Sequence, residues 1–230
     1  MEIKGTLYIV STPIGNLEDM TIRGLRILKE CPLIAAEDTR HTSRLLKHYD
    51  ISTPTISYFE HNRFTRIPQI INHLNENKDI AVVSDAGTPG ISDPAYRLIR
   101  ASIEENCKVE AIPGASASIT ALSASGLPTD RFIFEGFLPH KKGRRKKLEL
   151  LATIEATIIF YESPHRIKRT LNDILEHIGD RPVVIGRELT KIHEEYKRGK
   201  VSELLSFYNK NSPRGEFVIM LGKDDPNVYF

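Results

Sequence analysis

Cys31 and Cys107 are the only cysteines in this 230-residue chain. They are too few for a disulfide framework and too far apart for a metal knuckle, so a reducing compartment is expected. No apolar run reaches the length of a membrane span. Met1-Glu2-Ile3-Lys4-Gly5 leads straight into a strand-like segment, without the basic and apolar stretches of a signal peptide. The expected location is cytoplasmic. Internal repeats and low-complexity segments are lacking. With 40% hydrophobic and 27% charged residues, disordered and collagen-like classes drop out. A net charge of +2 neither demands nor excludes nucleic acid.

The familiar nucleotide signatures are missing too. No G-x-G-x-x-G follows a strand and no G-x-x-x-x-G-K-[ST] occurs, so dinucleotide and P-loop phosphate cradles lack their residues. The eight histidines show no H-x-x-x-H spacing, which leaves a zinc hydrolase unsupported.

What is there is a βαβ rhythm. Short apolar runs at Leu7–Val10, Leu33–Ala36, Ile80–Val83 and Val109–Ile112 each precede a turn signal and a helical pattern. Ile80-Ala81-Val82-Val83 has no polar alternation, as expected of a parallel strand buried on both faces. After it, Asp93 is placed to cap and Pro94 to open a helix whose stripe is Ala95, Leu98, Ile99 and Ile103. The pattern changes after the break Ser125 to Asp130. Strands are predicted at Phe132–Phe137, Ala156–Tyr161, Val183–Ile185 and Phe217–Leu221, with helices at Pro164–Ile178 and near Val201–Tyr208. A boundary within 113–130 divides the chain into an N-terminal α/β domain, 1–115, and a C-terminal α/β domain, 116–230.

Four turn-rich loops follow predicted strands: Ser11 to Thr21, Glu37-Asp38-Thr39-Arg40, Ser84 to Pro94, and Pro113 to Ser118. Each alone reads as an ordinary strand-to-helix turn. Together they mark a ligand site, because open α/β sheets bind ligands at the carboxyl ends of their strands. Gly87, Gly90, Gly114 and Ala117 leave room for close backbone approach. Gly114-Ala115-Ser116-Ala117-Ser118 also suggests a hydrolase nucleophile elbow with His165 or His61 as base, but the second glycine is missing.

Lys141, Lys142, Arg144, Arg145, Lys146 and Lys147 put six fixed positive charges into seven residues. This is either a solvated basic face or a phosphate-backbone clamp. Glu162 and Glu188 each follow a predicted buried strand, so an ion pair with Arg166 or Arg187 is the plain reading of each.

Seven segments in order resemble one family, the tetrapyrrole-methylase-like methyltransferases. Within it they resemble the branch that methylates the 2′-oxygen of a cytidine in small-subunit ribosomal RNA. The segments are Ser11 to Leu17, Ala36 to Arg40, Ser84 to Pro94, Pro113 to Ser116, Tyr161 to Arg166, Arg187 to Lys191 and Arg214 to Phe217. The resemblance implies two α/β domains in a non-Rossmann fold, with S-adenosylmethionine in the cleft between them. By that likeness the cofactor touches Pro13, Asp85, Ala86, Gly87, Thr88, Ile91, Ser116, Ala117, Tyr161, Pro213, Arg214 and Gly215. The implied partners are ribosomal RNA in the small subunit, which Arg40 and the basic run would hold, and a second copy in a homodimer. Family members usually carry a further C-terminal extension, so more of the RNA grip is expected from Lys141–Lys147 and from a second subunit.

Methyl transfer to a hydroxyl needs in-line geometry and one proton acceptor. The candidates for acceptor or orienter are Glu37, Asp38, Glu162, His165, Glu188 and Lys191. Lys191 would need a depressed pKa to serve as a base. Arg40, Arg166 and Arg187 are expected to hold phosphates or fix carboxylates. Two rivals stand beside this reading: a tetrapyrrole C-methyltransferase, and a non-catalytic RNA-binding assembly factor on the same fold.

Overall fold

Apolar strands without polar alternation need cover on both faces, and the first half of the chain supplies it. The computed structural model describes residues 4–223 and 225 and divides into two units, Met1–Ser116 and Ala117–Phe230. In the first unit β1 (Thr6–Val10), β2 (Ile34–Ala36), β3 (Thr55–Ser57), β4 (Ile80–Val83) and β5 (Lys108–Ile112) form one sheet in the order β3-β2-β4-β1-β5. Every pairing in it is parallel.

Helices α1 (Ile22–Glu30), α2 (Thr39–His48), α3 (Arg63–Asn75) and α4 (Ala95–Glu104) cover the two faces of this sheet. Successive strand residues serve opposite faces. Leu7, Ile9, Ile80 and Val82 pack with Ile70 and Leu74 of α3 and Leu98 of α4. Val10, Ala81 and Val83 pack with Ile27 and Leu28 of α1 and Leu46 of α2. Each fully buried Leu or Ile contributes about 1.5–3 kcal/mol relative to exposure.

The entry to α4 differs in detail from the expected cap. Pro94 takes the N-cap place, and Asp93 stands one residue earlier, where its carboxylate accepts from the amides of Ala95 (2.8 Å) and Gly90 (2.8 and 2.9 Å). Ile103 is exposed rather than part of the stripe. At eight positions from Ala95 it is rotated about 80° round the helix. The buried place goes to Ser102, whose hydroxyl donates to the Leu98 carbonyl at 3.0 Å.

In the second unit β6 (Phe132–Phe137), β7 (Thr157–Glu162), β8 (Pro182–Arg187), β9 (Glu195–Lys200) and β10 (Phe217–Leu221) are ordered β6-β7-β10-β8-β9. Only β6 and β7 pair in parallel. Helices α6 (Arg144–Ala152), α7 (Ile167–His177) and α8 (Val201–Lys210) bury Leu148, Leu171, Ile174 and Leu204 against Ile158, Phe160, Ile185 and Ile219. The short α5 (Ala117–Ser123) packs beside β7 and β10. The helix predicted from Pro164 starts at Ile167, because Ser163-Pro164-His165 form a turn whose Ser163 carbonyl accepts from the amides of Arg166 and Ile167. Among the described residues no helix is long and apolar enough to cross a membrane.

Candidate functional site

The order of the first sheet creates a crevice. From β1 the chain runs through α1 to β2 on one side, and from β4 it runs through α4 to β5 on the other. Right-handed crossovers of opposite direction put α1 and α4 on opposite faces, and the two core clusters contain them separately. The chain leaves the neighbouring strands β1 and β4 toward opposite faces, and such a switch point is the position where open α/β sheets hold ligands.

Main-chain bonds set the geometry of this crevice. The Thr12 amide donates to the Gly87 carbonyl at 2.9 Å and the Gly87 amide donates back to Thr12 at 3.0 Å. Ser11 Oγ donates to Thr88 Oγ1 at 3.0 Å, and Thr88 Oγ1 donates to the Ala115 carbonyl at 3.1 Å. The loops after β1, β4 and β5 are thus tied together. Gly87 has φ +81°, a left-handed value open to glycine, and a Cβ there would lie 3.4 Å from Ile14 Cγ2. Asp85 and Ala86 beside it are exposed, Pro13 and Thr88 are half-buried, and Ile91 is exposed.

The loop after β2 joins the same edge. The Asp85 amide donates to Glu37 Oε2 at 3.3 Å, while the Asp38 amide donates to Asp85 Oδ1 at 3.0 Å. Burial pushes the half-buried Glu37 carboxyl above its usual range, the negative charges of Asp85 and Asp93 add to this, and the Asp85 amide only partly opposes it. Asp38 behaves in the opposite way. Its hydrogen bonds to the Arg40 guanidinium (2.8 and 3.2 Å) and the Arg40 amide hold the carboxyl far below the usual range. The sequence expectations Pro13, Glu37, Asp38, Asp85 to Thr88 and Ser116 all fall in this unit, on loops stitched by these bonds.

This set of groups suits S-adenosylmethionine. Glu37 and Asp85 supply carboxyl groups of the kind a sulfonium and an ammonium call for, and the left-handed Gly87 turn leaves backbone uncovered by a side chain.

The second unit carries its own cluster. Tyr161, next to last in β7, has its hydroxyl accepting from the Ser118 amide at 3.2 Å and its ring edge-on to Phe134 and Phe137. Lys191 Nζ donates to Glu188 Oε1 and to Glu216 Oε2, both at 2.9 Å. The Glu216 amide donates to the same Glu188 oxygen at 3.0 Å. Glu188 and Thr190 both have positive φ, 50° and 64°, an uncommon and strained state for residues other than glycine. A Cβ on Gly215, at φ +90°, would come within 2.6 Å of Glu188 Cγ. Pro213-Arg214-Gly215 is the turn entering β10, and the Arg214 carbonyl faces Arg187 Nη1 at 3.5 Å.

Several expectations are corrected here. Arg144 is not part of an RNA clamp: it is 4% exposed, and its guanidinium donates to Asp173 at 2.6 Å, Thr170 Oγ1 at 2.8 Å and the Pro139 carbonyl at 3.1 Å. Lys147 is paired with Glu135 at 2.6 Å and is half-buried. Lys141, Lys142, Arg145 and Lys146 remain exposed, Arg145 in a surface pair with Glu149. Glu162 is buried, accepting from Thr170 Oγ1 at 2.6 Å and the Ser163 amide at 2.9 Å, with Arg166 at 3.4 Å, which is the ion pair of its plain reading. Lys191 lacks the depressed pKa that a base would need: burial alone would lower it, but the bonds and charges of Glu188 and Glu216 outweigh that and raise it. Arg187 pairs with Glu195 rather than Glu188. His165 stands exposed in the turn before α7, and Arg40 is exposed apart from its fork onto Asp38.

The chain matches the family model "Tetrapyrrole (Corrin/Porphyrin) Methylases" over residues 6–205. It is 54% identical over 219 residues to "Ribosomal RNA small subunit methyltransferase I" of Halalkalibacterium halodurans, covering 95% of this chain and 76% of that one. It is 52% identical over 221 residues to the protein so named in Thermotoga maritima, covering 96% and 100%. Its fold is similar to uroporphyrin-III C-methyltransferase from Thermus thermophilus complexed with S-adenosyl homocysteine, with TM-score 0.67, 18% identity and coverage of 95% and 97%.

Proposed function

This chain belongs to the tetrapyrrole (corrin/porphyrin) methylases, and on that premise we propose that it methylates the 2′-oxygen of a cytidine ribose in small-subunit ribosomal RNA. The observation that carries the reading is the likeness along nearly the whole chain to relatives named for small-subunit ribosomal RNA methylation. The acidic crevice of the first unit supports it. S-adenosylmethionine is the methyl donor.

When bound, that cofactor supplies a methyl group on a sulfonium, an electrophile that needs no further activation. The protein's own work is orientation and the removal of one proton. Within the first unit, Pro13, the turn Asp85-Ala86-Gly87-Thr88, Ile91 and Ser116 are proposed to bind the cofactor. Within the second, Ala117, Tyr161 and the turn Pro213-Arg214-Gly215 are proposed to do so. Glu37 is the proposed proton acceptor. Its Oε2 is engaged by the Asp85 amide, which leaves Oε1 to receive the hydroxyl proton, and its raised pKa suits it to the task. Lys141, Lys142, Arg145 and Lys146 are proposed to contact the phosphate backbone.

The test supplies labelled S-adenosylmethionine with purified small ribosomal subunits, naked ribosomal RNA or a tetrapyrrole precursor. A 2′-O-methyl group blocks alkaline cleavage of the adjoining phosphodiester, so hydrolysis and mapping locate it. The expected product carries label at one cytidine. Label on the tetrapyrrole, or none on RNA in any form, overturns the reading.

A further inference from the structure

We propose that the first turns of α3 and α4 form a stacking platform for single-stranded RNA flanking the target nucleotide, a proposal that rests on the ribosomal RNA reading above. Two arginine–aromatic pairs stand at equivalent places on neighbouring helices. In α3 the Arg63 guanidinium lies 4.6 Å from the centre of the Phe64 ring, and in α4 that of Arg97 lies 5.0 Å from the centre of the Tyr96 ring. Phe64 is 77% exposed and Tyr96 49%.

The two pairs lie close together. Both helices pack on the same face of the sheet. The Tyr58 hydroxyl, from the loop entering α3, donates to the Pro94 carbonyl at 3.0 Å, directly before α4. Arg63 and Arg97 both act electrostatically on that one hydroxyl. An open depression of about 480 Å³ is lined by Glu60, Gly90, Ser92, Tyr96 and Arg97, and Glu60 is in turn the ion-pair partner of Arg63. Phe59 and His61 stack edge-on in the same loop.

Charge and position select the occupant. The acids here are already engaged, Glu60 by Arg63 and Asp93 by the amides of Gly90 and Ala95. Arg63 is itself only 16% exposed and held by Glu60, so the accessible groups are the Arg97 guanidinium and the two exposed rings, which suit single-stranded nucleic acid through stacked bases and one neutralised phosphate. The run Ser84 to Pro94 links the two functions. Its first half, Asp85 to Thr88, forms the methyl-donor side of the crevice, and its second half, Gly90 to Pro94, lines the depression. A nucleotide stacked on Tyr96 would lie only a few residues along the chain from that crevice.

The experiment uses the full chain and a short single-stranded RNA carrying 2-aminopurine, whose fluorescence is quenched on stacking. The double variant F64L/Y96L keeps apolar bulk and removes the rings. The expected result is quenching with the wild type, its loss in the double variant, and affinity about 10-fold weaker. S-adenosylmethionine affinity and the salt slope of RNA binding should stay unchanged. Y96F should retain the quench, and R97Q should reduce the salt slope by about 0.7. Wild-type affinity and quenching in F64L/Y96L would overturn the platform. So would an altered sedimentation mass with RNA affinity intact, which would assign the rings to a protein contact. The two readings fail separately. A wild type that methylates RNA while F64L/Y96L changes nothing removes the platform alone. A wild type that transfers no methyl group but loses RNA affinity in F64L/Y96L removes the activity alone.

Discussion

Glu37 accepts the amide hydrogen of Asp85 across the ends of β2 and β4, so the carboxyl with a raised pKa is held by the loop proposed to hold the methyl donor. Replacing Glu37 with Gln keeps the acceptor for that amide and removes the proton site. Single-turnover methyl transfer should slow by about 10²–10⁴-fold, with S-adenosylmethionine affinity nearly intact. The acid limb of the wild-type pH profile should lie above the range of an ordinary glutamate and vanish in E37Q. Stability should move the other way. A carboxyl whose folded pKa is raised costs stability as pH climbs through the window between its unfolded and folded values. E37Q should therefore melt no lower than wild type at neutral pH.

The basic run divides into one buried arginine and a set of surface cations. Arg144→Ala leaves Asp173 without its main partner inside the α6–α7 packing and should cost about 3 kcal/mol in denaturant unfolding. Changing Lys141, Lys142, Arg145 and Lys146 together to Gln should leave unfolding within about 1 kcal/mol of wild type. The same change should flatten the salt dependence of RNA binding by about 0.7 for each phosphate that is no longer neutralised. An unchanged slope would remove these four residues from the RNA interface.

Gly215→Ala combines a left-handed backbone with a Cβ that meets Glu188 at 2.6 Å. The expected cost is about 1–3 kcal/mol. The Glu216 amide should separate from Glu188 as well, and weakened S-adenosylmethionine binding by calorimetry would show that this turn belongs to the cofactor site.

The Lys191 cluster should define a stability plateau. The pKa of Lys191 is raised from 10.5, so its contribution is complete below that value and is lost as pH rises through the folded one. Glu188 is lowered from 4.5: burial pushes it up, but the Lys191 bond and the Glu216 amide outweigh that. Its contribution is complete above 4.5 and is lost as pH falls. The stability difference between wild type and K191M should be flat between these limits, at about 1 kcal/mol, and shrink beyond both. Methyl transfer by K191M should keep the wild-type pH profile, since a lysine held protonated takes no proton.

The strands of the crevice were legible because burial on both faces leaves an uninterrupted apolar run, as in Ile80–Val83. β10 was legible for the same reason. β9 escaped because Glu195-Tyr196-Lys197-Arg198-Gly199-Lys200 is a charged edge strand, held by pairing with β8 rather than by its own apolar pattern. β3 is three residues long and only half-buried. The burial of Arg144 had a signal: it lies four and seven residues before Leu148 and Leu151, on the buried stripe of α6. The left-handed Glu188 and Thr190 had none, since neither residue type favours that state. Glu37 and Asp38, adjacent carboxylates of the same chemistry, received opposite pKa shifts: burial and acids 48 or more residues away raise the first, and an arginine two residues away lowers the second.

The reciprocal amide pair of Thr12 and Gly87 involves no side chain, so the crevice is fastened by atoms every residue but proline possesses. Apart from Ser11, Thr12, Thr88 and the left-handed Gly87, side chains on either loop are thereby free to change without loosening the joint. A proline at Thr12 would remove the donor outright, whereas a serine or valine would leave it in place. The anchorage of the loops proposed to hold the methyl donor is in this sense independent of substrate choice, and new acceptor specificity can arise on surrounding loops while the fastening stays as it is.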